Sequence, residues 1–310
     1  MGKPRKQESR DLAPLAPTLA AVVREQAGVS WSRAKNLCTE GRVTVDGERC
    51  VDPASRVPSG AVVIVNPHAP RLEKGPLQKQ AIVHFDRDVV VVEKPAGMLS
   101  VADEEGNKHT LADYTRTLLR RLERGADAPL GVVHRLDRDT SGLMVFARTA
   151  EAKRKLATMF QEHDIERLYH AIAHGDVPAK TVESDLLLDR GDGLRGSFGH
   201  FRRARGDPPS DARHSITHIR PLAALRGATL VECRLETGRQ HQIRIHLAEL
   251  GHPLVGERVY IRDYAGPKIE AERVMLHARE LGFAHPRTGE AMSFEREPPP
   301  DFQDLVASLK

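Results

Sequence analysis

The residues Gly131-Val-Val-His-Arg-Leu-Asp-Arg-Asp-Thr-Ser-Gly-Leu-Met-Val-Phe-Ala147 decide how the chain is read. Val132-Val133 and Leu143 to Ala147 have the composition of strands, apolar enough to be buried on both faces. Between them stand His134, Arg135, Asp137, Arg138, Asp139, Thr140 and Ser141. Charged groups held between two core strands are costly to bury without partners, and loops carried on a rigid scaffold are where reactive groups concentrate.

Working outward, a helix is expected after a cap at Thr149, with Ala152, Leu156, Met159 and Phe160 on one face. A strand over Glu166-Arg-Leu-Tyr-His-Ala-Ile-Ala-His-Gly175 follows. Alternation places Tyr169 with Ala171 and Ala173, opposite Leu168, His170 and Ile172, so small neighbours leave room beside the ring. Upstream, Ala81 to Phe85 and Val89 to Glu93 are expected strands, Lys94-Pro-Ala-Gly97 turns the chain, and Thr110 to Glu123 is an amphipathic helix. Downstream, Leu235-Glu-Thr-Gly-Arg-Gln-His-Gln-Ile-Arg-Ile-His-Leu-Ala248 has Ile243, Leu247 and Leu250 at helical spacing, with Gly251 as its stop. Val274 to Arg279 and Leu281 to Pro286 are expected strands, and Arg202 to Arg213 an irregular surface loop.

The first part of the chain has a different organisation. Met1 to Pro17 is polar and proline-containing and is expected to be a disordered tail. Two short helices, near Leu19 to Arg24 and Ser30 to Leu37, precede strands at Arg42 to Val45 and Ala61 to Val65, with Asp46-Gly47 as a tight turn. Residues 67–79 have the composition of a linker. The expected division is therefore a tail over 1–17, a small αβ domain over 18–66, the linker, and a large domain over 80–310.

The 310 residues carry a formal charge of +4 with 15 histidines, a modest bias toward a polyanionic partner. Aromatic residues are only 4%, which argues against a broad base-stacking platform. Cys38, Cys50 and Cys233 form no C-x-x-C pair, so neither a disulfide framework nor a thiolate zinc site is expected. His241 and His246 stand about 140° apart on a helix and on opposite faces of a strand, so no metal is expected there. The sequence has no apolar run long enough to span a bilayer and no secretory h-region at Met1 to Pro17, which makes a cytoplasmic address the default.

His134-Arg-Leu-Asp-Arg-Asp-Thr-Ser-Gly142 resembles the signature of the RluA-type family of RNA pseudouridine synthases over nine consecutive positions. The strand bearing Tyr169, the Gly238-Arg-Gln-His-Gln-Ile-Arg244 element and the stretch around Leu276 resemble further parts of that family. Ser32-Arg-Ala-Lys35, Glu40-Gly-Arg-Val43 and Val45-Asp-Gly47 resemble the small RNA-binding domain named after a small-subunit ribosomal protein.

The resemblance implies an α+β fold, with a mixed, largely antiparallel central sheet flanked by helices. It also implies the catalytic roles: Asp137 as the essential carboxylate, Tyr169 as an active-site tyrosine, and Arg244, in preference to Arg239, as the cation beside Asp137. Asp139 is better suited to capping a turn. Arg135 corresponds to a side chain that fills the space left by a flipped base, and Leu276 to one that packs on that base. His134, Arg239, His241 and Gln242 in the large domain, and Arg33, Lys35 and Arg42 in the small one, are expected to contact RNA. Glu93 stands where the family often has asparagine and Glu257 where aspartate is usual, both expected to lie away from the chemistry.

Turning uridine into pseudouridine breaks C1′–N1 and rejoins the base through C5, with nothing oxidised, so no cofactor is expected. Asp137 could bond to the sugar or take a proton from C2′. The expected partner is RNA, ribosomal before transfer RNA, and a monomer is the simplest oligomeric state. A non-catalytic RNA-binding or ribosome-assembly factor is the main alternative, opposed by the intact set Asp137, Tyr169 and Arg244. A glycosidase would need a second carboxylate paired with Asp137, which the motifs do not supply.

Overall fold

In a computed structural model, which describes residues 16–50, 53–67, 77, 79–102, 109–123, 129–200 and 206–310, the chain divides into units over residues 1–75 and 76–310. The expected tail and linker lie largely outside the described residues.

In the first unit, α1 (Leu19–Ala27) starts where the Thr18 hydroxyl accepts the Ala21 amide and ends at Gly28 in the left-handed region. α2 (Trp31–Thr39) is capped in the same way by Ser30. β1 (Val43–Val45) turns through Asp46 and Gly47, both at positive φ, into β2 (Glu48–Arg49), and β3 (Val63–Val65) pairs with the other edge of β1. Leu19, Val23, Leu37 and Val43 form the unit's core. Lys35 is exposed on α2, and the Arg33 guanidinium is 3.8 Å from the buried Glu40 carboxylate. The Arg42 guanidinium lies 3.2 Å from Glu40 and donates to the Pro67 carbonyl, which ties β1 to the end of α2 and to the chain after β3.

The second unit is organised on one large sheet. Its elements are β4 (Ile82–Phe85), β5 (Val89–Lys94), α3 (Leu111–Leu122), β6 (Gly131–Val132), β7 (Ser141–Ala147), α4 (Ala150–Gln161), β8 (Glu166–His174), β9 (Lys180–Leu187), β10 (Gly196–Ser197), β11 (Arg213–Leu225), β12 (Ala228–Leu235), α5 (Gln242–Glu249), β13 (Leu276–Ala284), β14 (Ala291–Glu295) and α6 (Pro300–Leu309). The strand order is β10-β9-β11-β12-β8-β13-β7-β5-β4, with β14 on β13 and β6 on β7. Among the described pairs only β7 with β13 is parallel, so the sheet is mixed and largely antiparallel. One face carries Val92, Met144, Tyr169, Ala171 and Cys233 beneath α3 and α5. Val91, Leu143, Val145 and Leu281 pack against α4, and Phe302 of α6 packs on Ile172.

Several expectations change here. β7 is buried throughout, whereas Val132 on β6 is 38% exposed because that strand is a two-residue edge. The two expected strands after Val274 are a single β13, bent by a bulge between Ala278 and Glu280. The expected surface loop over Arg202 to Arg213 has no helix or strand from residue 206 to the start of β11 at Arg213, while residues 201–205 lie outside the described residues. β9, β11, β12, β14 and α6 are additions to the sequence reading.

Register aligns the candidate residues. Gly142 pairs with Ala278, Ala278 with Tyr169, and Tyr169 with Cys233, so the loop bearing Asp137 enters the sheet two strands from the tyrosine. The crossing at Gly142 leaves no space for a side chain. Its φ is +115°, and a Cβ there would lie 2.2 Å from the Ala278 carbonyl oxygen. Gly142→Ala should therefore destabilise the protein by on the order of 3–5 kcal/mol in urea unfolding, while Gly97→Ala, in open space, should lose only about 1 kcal/mol. Equal losses at both positions would contradict the tight crossing.

Candidate active site

The loop between β6 and β7 is anchored before it presents Asp137. Burial pushes the His134 imidazole down to about 3, and neutral Nε2 accepts the Val145 amide at 3.1 Å while the ring stacks on Phe160. The Ser100 hydroxyl brackets Leu136, donating to its carbonyl at 2.7 Å and accepting its amide at 3.1 Å. Lys94, fully buried at the end of β5, donates to the carbonyls of Pro95, Met98 and Arg138. Burial pushes its pKa down to about 7, against the pull of Asp139 and Asp137. Arg273 holds the Asp139 carbonyl from the other side. Asp139 itself is exposed.

Facing this loop is the turn from β12 into α5. Gln242 is 2% exposed and all four of its hydrogen-bonding positions are taken. Oε1 accepts from the Thr237 hydroxyl and the Arg239 amide, and Nε2 donates to the Ile216 carbonyl and Thr217 Oγ1. The expected RNA contact at Gln242 is thus corrected: its amide shapes the turn and has nothing left for a ligand. His134 lines the cavity with its Nε2 occupied by the Val145 amide and its ring stacked on Phe160.

The Arg244 guanidinium, on the first turn of α5, lies 3.4 Å from Asp137 Oδ2. Glu257 grips its far side with two bonds of 2.7 and 2.9 Å, and accepts the amides of Arg258, Val259 and Tyr260. Burial would raise the Glu257 pKa, but Arg244 and the Val259 and Tyr260 amides outweigh it and hold the carboxyl below its usual range. Arg244 is correspondingly raised despite its burial. Glu257 therefore stands one residue behind Asp137, contrary to the expectation that it lies away from the site. His241, at φ +61°, points Nε2 to 3.8 Å from Asp137 while its Nδ1 shares a 2.8 Å hydrogen bond with the Tyr260 hydroxyl.

These elements enclose a cavity of about 590 Å³, large enough for a nucleoside. Asp137, Tyr169, Arg244, Arg135, Arg239 and Leu276 all line it. The Asp137 side chain is 20% exposed and Tyr169 is 8% exposed. The Tyr169 hydroxyl makes no hydrogen bond among the described residues, and Arg135 is exposed and unpaired at the rim. Arg239 donates to the His214 carbonyl, and the arginine within ion-pair distance of Asp137 is Arg244. Asp137 is the only carboxylate among the described lining residues, against four arginines counting Arg167. The sequence reading missed Arg167, Lys94, Glu257 and Tyr260 as parts of the site. Only the separation of Glu257 and Tyr260 from the motif hid them, whereas Arg167 is adjacent in register to Tyr169 and was legible by alternation.

A second group, Asp86, Asp88 and His285, has ligand atoms within 4.8 Å of one another. Its groups are already engaged: Asp86 by His84, His285 and two amides, Asp88 by Arg287, and His285 Nδ1 by the amides of Arg287 and Thr288. It joins the β4–β5 turn to the end of β13. No helix among the described residues is long and apolar enough to cross a membrane.

Comparison with known proteins shows the family. Residues 88–249 match the family described as RNA pseudouridylate synthase, and residues 19–63 match the S4 domain. A ribosomal large subunit pseudouridine synthase D of Zymomonas mobilis is 36% identical over 298 residues, covering 91% of this chain and 90% of that protein. One from Pseudomonas aeruginosa is 34% identical, covering 91% and 88%. Among solved structures, human RNA pseudouridylate synthase domain containing 1 is 25% identical with a TM-score of 0.57, covering 74% of this chain and 87% of that one. The chain belongs to the RNA pseudouridylate synthase family, and is an RNA pseudouridine synthase, an isomerase, with an S4 domain ahead of its catalytic sheet.

Proposed function

We propose that the protein isomerises uridine to pseudouridine in large-subunit ribosomal RNA, with Asp137 acting at the ribose of a uridine turned into the cavity. The observation that carries the catalytic assignment is the placement of one carboxylate beside Arg244, in a cavity that Tyr169 also lines and that holds four arginines and no second carboxylate among its described lining residues. The ribosomal target is supported by the printed names of the relatives that share nearly the whole chain.

The reaction balances without an external reactant. C1′–N1 breaks and C1′–C5 forms, the C5 proton leaves to solvent, and N1 gains a proton. Asp137 serves either as a nucleophile at C1′ or as the base at C2′, and both routes use it as a carboxylate. Arg244 orients that carboxylate, and Glu257 fixes Arg244. Burial raises the Tyr169 pKa, so the ring meets the uracil as a neutral phenol and supplies a stacking face. Turning a paired or stacked uridine out costs a few kcal/mol, and Arg135 at the rim is placed to occupy the vacated space.

Asp137→Asn should lower tritium release from RNA labelled at uridine C5 by on the order of 10³-fold or more, with RNA binding retained. Release at the wild-type rate would remove Asp137 from the mechanism. Glu257→Gln leaves the buried Arg244 charge with only the more distant Asp137 carboxylate as counterion. It should destabilise the protein by about 3–5 kcal/mol in urea unfolding and lower kcat more than it raises KM. Unchanged stability and kcat would show that Glu257 does not position Arg244.

A further inference from the structure

Arg167 differs from the other arginines of the cavity in being buried without an acid. It is 6% exposed, lines the cavity, and has no carboxylate within ion-pair distance among the described residues. One hydrogen bond is made, from Nη2 to the Glu236 carbonyl at 2.6 Å. Nε is buried and unpaired among the described residues. The guanidinium lies over the Phe160 ring at 5.6 Å, and that ring is in turn stacked on His134. Burial pushes the Arg167 pKa down, Tyr169 raises it, and nearby Arg239 lowers it further.

A desolvated cation beside a second cation is unfavourable unless an anion joins them. The chain nevertheless makes room for it. A Cβ at Gly238 would lie 2.2 Å from Arg167 Nη1, so the lack of a side chain there is what admits the guanidinium. Arg167 and Tyr169 are two residues apart on β8, which puts their side chains on one face, about 7 Å apart along the strand. A nucleotide whose base lies on Tyr169 carries its phosphate at comparable reach from that base.

We infer that Arg167, set in the slot between Phe160 and Gly238, binds a backbone phosphate of the RNA strand at the target uridine, completing its missing hydrogen bonds and charge. This rests on the reading of the cavity as the uridine site. The arginine is a substrate-binding residue that holds the strand while Tyr169 receives the base, and Arg239 supplies a second cation on the same side.

The test is filter binding of in vitro transcribed ribosomal RNA to the full chain, from about 50 to about 300 mM salt. Arg167→Met should weaken binding and reduce the slope of log K against log salt by about 0.7–1, the loss of one phosphate contact, while Arg167→Lys keeps the slope. Gly238→Ala retains the charge but displaces the guanidinium, and should also reduce the slope, so the inference stays open to refutation if Arg167→Met does not fold. An unchanged slope in Arg167→Met or, if that variant does not fold, in Gly238→Ala would overturn the phosphate assignment, including in favour of a contact with a uracil carbonyl. Tritium release by the wild-type protein is measured in parallel. Its absence overturns the uridine-site reading and the inference with it, whereas release combined with an unchanged slope overturns the phosphate contact alone.

Discussion

Glu257 holds the Arg244 guanidinium with two buried hydrogen bonds, and much of the site's geometry depends on that pair. An arginine is a long side chain with many rotamers, and an arginine left alone beside Asp137 could adopt several. With Nε and Nη2 fixed by Glu257, only Nη1 remains to face Asp137 Oδ2. Glu257 is itself fixed by three successive backbone amides, so the constraint passes from the turn after Gly256 through Glu257 to Arg244 and ends at Asp137. A bidentate charge-assisted pair suits this task because its geometry is as selective as its energy.

The other end of Asp137 is constrained by the backbone. Lys94, Ser100 and Arg273 hold the carbonyls and amides around it, and Gly142 lets β7 lie against β13 with no intervening side chain. Each anchoring group is a buried polar atom satisfied by the loop, so the loop cannot move without leaving several of them unpaired. A carboxylate held from both sides needs little reorganisation when a substrate arrives, which is the physical basis of preorganised catalysis.

How much of this was legible in the sequence follows from the range of each interaction. The helix caps at Ser30, Thr110 and Thr149, the Asp46-Gly47 turn and the placement of Tyr169 with Ala171 and Ala173 depend on residues within four positions of one another, and local pattern reveals them. Asp137 and Arg244 were legible as a motif, although 107 positions separate them. Glu257 was not, because neither composition nor spacing indicates which acid will meet an arginine across a fold. Gln242 was misread for the complementary reason: an amide on a polar turn has the same sequence signature whether it faces a ligand or bonds its own loop. β9 and β11 went unread because their inward positions include polar residues such as Ser215 and Thr217, so only sheet assembly selects them, whereas β12 alternates from Leu230 to Leu235 and was legible.

Two buried arginines then divide the site by function. Arg244 carries its counterion with it, so the protein itself fixes its position, and its free edge is directed at Asp137. Arg167 lacks one, although a glutamate, Glu236, contributes its carbonyl to the guanidinium while its carboxylate turns to His218. An acid placed beside Arg167 would stabilise the empty protein and repel RNA from the same position. Leaving that charge unmatched would store unfavourable energy in the free protein that a polyanion could relieve on binding, whereas matching Arg244 keeps the Asp137 carboxylate in place with no ligand present.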